Sequence, residues 1–147
     1  MDVEAIAARC RELVHRRALL SAVAAAVPVP GLGLAVDLGV LMQMLEEINE
    51  AFGLTPQHIE ALPEARRAGV YRAIALLGST AVGRVVTREL ILAALRRVAR
   101  RWLTKSVLRY VPFAGQAVAA ALSYAAIRLL GQRHIDDCIA VRRAIAA

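Results

Sequence analysis

The chain has 147 residues, 59% of them hydrophobic and 21% charged; this suffices for one compact domain with a sizeable core and excludes an intrinsically disordered or low-complexity chain. Nineteen basic residues against twelve acidic give a formal charge of +7, which favours an anionic partner such as nucleic acid, anionic lipid or an acidic protein face. Two cysteines, Cys10 and Cys138, exclude a disulfide scaffold, and no Cys-x-x-Cys or second His/Cys pair offers a zinc site.

Asp2 is placed to cap a helix over about 3–27, with Ile6, Cys10, Leu13, Val14 and Leu20 at helical spacing and Glu4, Arg11 and His15 facing away. The run Pro28-Val29-Pro30-Gly31-Leu32-Gly33 ends it. A second helix is predicted over about 34–52, with Leu34, Leu41, Met44, Leu45, Ile48 and Phe52 on one stripe, Gln43, Glu46 and Glu50 opposite, and Gly53 as its C-terminal cap. Thr55-Pro56 opens a short third helix to residue 61, and a fourth follows Pro63 over about 64–77. After the loosening at Gly78, Ser79 and Gly83, a fifth helix is expected over about 87–110, stopped by Pro112. A last helix over about 114–146 is expected to bend or break near Gly131. No stretch alternates apolar and polar residues between hairpin turns, so nothing argues for a sheet.

The predicted fold is all-α: one domain over 1–147, a compact bundle of about five to six helices. It is built from two Pro/Gly-turn helical hairpins, about 3–52 and 87–146, with short helices between. A weak repeat underlies this reading, because Val29, Pro30, Gly33, Ala35 and Val36 match Val111, Pro112, Gly115, Ala117 and Val118 at a constant offset. Pro28, Pro30, Gly33, Pro112 and Gly115 are the expected turn residues. The small residues after each turn, Ala35 and Gly39 in one copy and Ala117, Ala121 and Ala125 in the other, let helix axes approach closely.

The N-terminus carries Asp2 and Glu4 and lacks the basic-then-apolar order of a secretory signal, so a cytoplasmic start is expected. Residues 18–36 and 111–127 are uncharged but marginal as membrane spans, the first interrupted by its prolines and glycines and the second dominated by Ala. A soluble domain or one peripheral to the inner membrane is therefore favoured over an integral one.

Asp37 falls in the middle of the apolar stripe of the second helix, and Arg17 lies on the apolar face of the first, across the Pro/Gly turn. The pair reads as a buried ion pair that fixes how the helices meet, with a proton or ion site as the competing reading. The fifth helix divides into a basic face of Arg96, Arg97, Arg100, Arg101 and Lys105 and an apolar face of Ile91, Leu92, Leu95, Val98 and Trp102. Such a helix suits anionic lipid with Trp102 at the interface, an acidic protein, or nucleic acid, the last disfavoured by the absence of aromatic residues among the arginines. A solvated outer face, or pairing with Glu46, Glu47 and Glu50, is the bland alternative.

His134, Asp136, Asp137 and Cys138 form a cluster of ligand-type residues, but consecutive aspartates diverge by about 100° on a helix and cannot both face His134. No metal or cofactor is expected. His15 and His58 have no nucleophile at a telling spacing, Gly31-Leu32-Gly33 lacks the Lys and Ser/Thr of a phosphate loop, and no catalytic arrangement is evident.

The stretch from Arg17 to Gly53, with Ala-Val-Ala-Ala-Ala-Val-Pro-Val-Pro-Gly followed by Asp37, Met44, Ile48 and Phe52-Gly53, resembles a bacterial family of unknown function. That family is typified by YcjF-like inner-membrane proteins and by domains that accompany Era-like small GTPases. Tyr110-Val-Pro-Phe-Ala-Gly-Gln-Ala-Val resembles the family's second Pro/Gly turn, and EcsC-like helical proteins are a neighbouring group. The resemblance implies a helical module that works beside a GTPase, often at a membrane; the chain carries no GTP-binding motif itself. The function expected is therefore a non-enzymatic interaction module with a protein partner, a small GTPase among the candidates, at the cytoplasmic face of a membrane. A small membrane-inserting, pore-forming or toxin-like protein is the alternative, and homo-oligomerisation stays open.

Overall fold

The computed structural model describes residues 1–146 apart from Thr80, Leu103 and Thr104, and all of their side chains except those of Trp102 and residues 105–114. Among the described residues there are six α-helices and no strand: α1 (Val3–Ala26), α2 (Leu32–Ala51), α3 (Pro56–Glu60), α4 (Glu64–Leu77), α5 (Arg88–Trp102) and α6 (Lys105–Ala146). The expected all-α bundle is what forms.

Local chemistry sets most helix ends. The Asp2 carboxylate accepts from the Ala5 amide at 3.1 Å to start α1, and Thr55 Oγ1 accepts from the His58 amide at 3.2 Å to start α3. Thr87 Oγ1 accepts from Leu90 at 3.3 Å at the start of α5. α2 ends with paired turns, Gly53 N to Glu50 O at 2.9 Å and Leu54 N to Asn49 O at 2.8 Å, for which Gly53 takes a left-handed φ of 62°. The apolar residue after that glycine, Leu54, is buried at 1% exposure and seals the helix end.

The long partner of α1 is the part of α6 after Gly115, and α2 packs against both. Ile6, Ala7, Cys10, Val14 and Ala18 of α1 meet Ile127, Ile135, Cys138 and Val141 of α6, while α2 contributes Leu41, Met44, Ile48 and Phe52. α4 adds Val70 and Ile74, and the segment after it turns inward, burying Ala81, Val82 and Val86. Burying a side chain of this size contributes roughly 1.5 to 3 kcal/mol, so this three-helix seam dominates the stability of the bundle.

Several sequence expectations are corrected. α6 is interrupted at Gly115 (φ 43°, ψ −111°), within the predicted second turn, and not at Gly131, which is helical and buried. A Cβ at Gly131 would lie 2.6 Å from a Val14 methyl and 2.9 Å from Met44 Cε; this glycine lets α6 lie close on α1 and α2. Of Ala117, Ala121 and Ala125, the residues of this helix expected to make that close approach, the first two are exposed and Ala125 is half-buried. The inward face runs through Ser123, Ile127, Gly131, His134 and Cys138, and at about 100° per residue Ala121 points about 200° away from Ser123. Gly33 is not in the turn but in the first turn of α2, where its Cβ position is 3.3 Å from the Ala25 backbone; Gly31 takes the left-handed φ of 79° instead. Lys105 begins α6 rather than extending α5, and Pro112 falls within the bounds of α6 rather than ending a helix.

Candidate functional site

One end of the bundle is left apolar and open. Leu19, Leu20 and Val23 of α1, Val27 and Val29 of the turn and Leu34 of α2 are all about half exposed, Val23 the most at 67%. Leu20 and Leu34, expected in the core from their spacing, belong to this surface. Isolated exposed leucines need no explanation, but six large apolar side chains around one Pro/Gly turn form a patch of the kind that marks an interaction surface. The turn is short and its backbone hydrogen bonds are local, Val27 N to Ala24 O and Leu32 N to Val29 O, so it holds these side chains outward.

Between this turn, α5 and α6 lies a groove of about 460 Å³, walled by Val27, Val29, Leu34, Leu95, Val98 and Leu122. Among the described residues that line it, Asp37 is the sole charged one, with Ser123 beside it. Ser123 Oγ donates to Asp37 Oδ1 at 2.6 Å. Ser21, fully buried, lies near enough to favour the ionised carboxylate, yet its hydroxyl completes no hydrogen bond of normal geometry. Burial is the larger influence and pushes the Asp37 carboxyl above the usual range, opposed by the Ser123 and Ser21 hydroxyls.

The expected Arg17–Asp37 pair is not made. Arg17 Nη2 meets Glu47 Oε1 at 2.6 Å and Nη1 donates to Gln43 Oε1 at 3.2 Å. The reason is rotational: Arg17 and the polar edge of α2 carrying Gln43 and Glu47 share one side of the α1–α2 contact, while Asp37 turns toward α6. Both residues are legible as polar groups on apolar faces, but α2 offers Gln43 and Glu47 as well as Asp37, and spacing alone does not choose among them.

α5 presents the predicted division. Ile91 and Val98 are buried, Leu92 and Leu95 partly so, and Arg96, Arg97, Arg100 and Arg101 are exposed. Glu89 in its first turn and Arg100 and Arg101 in its last also agree with the helix dipole. No ion pair among the described residues uses these four arginines, so the alternative of pairing with Glu46, Glu47 and Glu50 is not realised there. The side chains of Trp102 and Lys105, assigned to the same helix in the sequence reading, lie outside the described residues.

The cluster at 134–138 divides three ways, as its helical spacing requires. Asp136 accepts from Gln132 at 3.0 Å on the surface, Asp137 lies 3.5 Å from Arg133, and His134 and Cys138 turn into the core. Asn49, which sequence reasoning passed over, receives them there. His134 Nε2 donates to Asn49 Oδ1 at 2.9 Å, Cys138 Sγ approaches the same oxygen at 3.8 Å, and Asn49 Nδ2 donates to the Ala81 carbonyl at 3.2 Å. Cys, His and Asn side chains thus meet, but their environment opposes nucleophile chemistry: burial lowers His134 to about 4, only partly offset by the Leu45 carbonyl, and burial drives the Cys138 thiol up. An asparagine at a buried position of an apolar stripe is the signal that could have found this network. Among the described residues no group of three His, Cys, Asp or Glu could hold a metal ion.

Arg142 is a second residue the sequence reading missed. Its Nε donates to the Phe52 carbonyl at 2.6 Å and its Nη2 to the carbonyls of Phe52 and Gly53, the latter at 3.2 Å. A cation on the carbonyls of the C-cap Phe52 and of Gly53 satisfies acceptors left open where α2 ends and matches its dipole. The approach needs Gly53, where a Cβ would sit 2.6 Å from Arg142 Nη2.

Among the described residues no helix is long and apolar enough to cross a membrane. Compared with known proteins, the chain matches no family model, no curated protein and no solved structure.

Proposed function

We propose that the chain is a non-enzymatic helical module that seats its open end on the anionic, cytoplasmic face of a membrane and offers the rest of the bundle to a protein partner. The observation that carries this is the combination at one end of six exposed large apolar side chains with four exposed arginines on the adjacent α5. A protruding apolar turn gains roughly 25 cal/mol for each Å² it removes from water, and each arginine near an anionic surface adds about 1 kcal/mol. The two together give the paired signals that stable peripheral binding requires. The resemblance of residues 17–53 to GTPase-associated helical proteins makes a small GTPase the partner to look for.

The test is flotation with vesicles of phosphatidylcholine alone and of phosphatidylcholine with phosphatidylserine. Binding should need the anionic lipid, fall as salt shortens the Debye length below about 8 Å, and drop by roughly 3 kcal/mol when Arg97, Arg100 and Arg101 are changed to Gln. Circular dichroism should stay helical in that variant, because Gln retains helix propensity. Binding indifferent to salt and to the triple change would refute electrostatic seating, and release from native membranes by detergent alone would favour the inserted alternative. Affinity capture that recovers a GTPase dependent on the nucleotide state would support the partner.

A further inference from the structure

The groove at the open end combines a mostly apolar lining with one carboxylate, Asp37, that meets no cation among the described residues. Arg17 is committed to Glu47 and Gln43 on the other side of the α1–α2 contact, and the hydrogen-bond partner that meets Asp37 is the Ser123 hydroxyl. An ionised carboxylate offers about four acceptor sites, so one serine leaves most of its capacity open. Ser21 Oγ, buried beside it without a completed hydrogen bond, is a further polar atom awaiting a partner. A carboxylate taken partly out of water without a counter-charge costs free energy that an arriving cation would offset. The volume, about 460 Å³, lies within the range of small-molecule sites, which are mostly apolar with a few placed polar groups.

We propose that this groove binds a single-chain apolar amine, its ammonium group on the Asp37 carboxylate and its hydrocarbon chain along Val29, Leu34, Leu95, Val98 and Leu122. The chemistry selects among head groups. An ammonium brings three donors and the complementary charge; an alcohol brings one donor and no charge; a carboxylate meets Asp37 with like charge. The arginines of α5 lie on its exposed face and are screened by salt, whereas Asp37 is in the groove itself. The inference stands apart from membrane seating, since it needs no lipid surface.

Titration of the intact protein, without vesicles, with decylamine, decanol and decanoate below their self-association concentrations tests it by calorimetry or amide chemical shifts. Decylamine should bind about tenfold more tightly than decanol and more tightly still than decanoate, as expected for one partly desolvated charge pair. Asp37→Asn, close to isosteric, should bring decylamine to the decanol level, and Ala119→Phe, at an exposed lining position, should weaken all three. Equal affinities for the three head groups on the unaltered protein would overturn the proposal whatever the variants do, as would an Asp37→Asn protein that still prefers the amine. Failure here leaves the vesicle experiment intact, and loss of vesicle binding leaves this titration intact.

Discussion

The two ends of the bundle draw on the same small stock of Ala, Val, Leu and Ile but are finished in opposite ways. Where α2 ends, Phe52, Leu54 and Ile59 are buried to 1% or less, Arg142 covers the carbonyls of Phe52 and Gly53, and Asn49 ties His134 on α6 to the Ala81 carbonyl. At the other end, around the α1–α2 turn, Leu20, Val23, Val29 and Leu34 face out, and among the described residues Asp37 meets no cation and the Ser21 hydroxyl completes no hydrogen bond. Buried polar groups that are all partnered make a region rigid, and groups left open mark where a ligand or surface can complete the structure. The difference separates what holds this protein together from what it presents.

The largest effect should come from breaking the closed end at Asn49. Asn49→Ala strands the His134 ring and the Ala81 carbonyl, each a buried polar group worth about 1 to 3 kcal/mol when unpaired, so urea unfolding should show a loss of roughly 3 kcal/mol or more. A loss below about 1 kcal/mol would mean that the network is dispensable and that the contrast between the ends is only one of apolar packing.

Acid should attack the same end. His134 is held near 4 when folded against an unfolded value of 6.5, so the unfolded chain binds the proton first as pH falls. The stabilisation is complete above about 6.5, declines between 6.5 and 4, and amounts to roughly 3 kcal/mol over that window. Unfolding measured from pH 7 to 4 should show this decline in the unaltered protein and a much smaller one in His134→Gln, which keeps a donor for Asn49 but does not titrate. Parallel pH curves for the two proteins would remove His134 as the cause.

Two changes on α6 sharpen the comparison within one helix. Gly131→Val drives methyls into Val14 and Met44 and should cost about 2 to 3 kcal/mol by overpacking, more than the small gain in helix propensity returns. Ala121→Leu, on the exposed side, should alter the unfolding free energy by less than about 0.5 kcal/mol. A reversed order would place the close helix contact at the alanine stripe after all.

A small effect, of opposite sign, is expected at the open end. Because burial raises Asp37, the folded chain favours its neutral form; the stability linked to it is present at low pH and lost as pH rises through the raised value. Asp37→Asn keeps an acceptor for Ser123 and removes the ionisation, so at pH 7 it should leave stability unchanged or raise it by at most about 1 kcal/mol, given that the group is half open to water. A clear drop in melting temperature would reveal a cation on Asp37 and undo the picture of an unfinished end.

Much of the bundle was legible residue by residue. The caps at Asp2, Thr55 and Gly53, the α4 span and the two-faced α5 all follow from interactions within about four residues, which a linear reading contains. The candidate site was legible only in pieces: Asp37 and the arginines stood out, but not the partner of either. Ser123 lies 86 residues from Asp37, and Asn49 lies 85 from His134.

What the sequence determined by itself is the helical class, the order of the helices and most of their ends, because backbone hydrogen bonds and caps are local. What only the tertiary structure decided is rotation: which face of each helix turns inward. In a chain so rich in Ala and Val several faces of a helix are nearly equally apolar, so hydropathy does not choose between Ala121 and Gly131, or between Asp37 and Glu47 for Arg17. Shape complementarity of α6 with α1 and α2 chooses, since the glycine lets Val14 and Met44 approach. That choice leaves Asp37 and Ser123 facing each other at the mouth of an apolar groove.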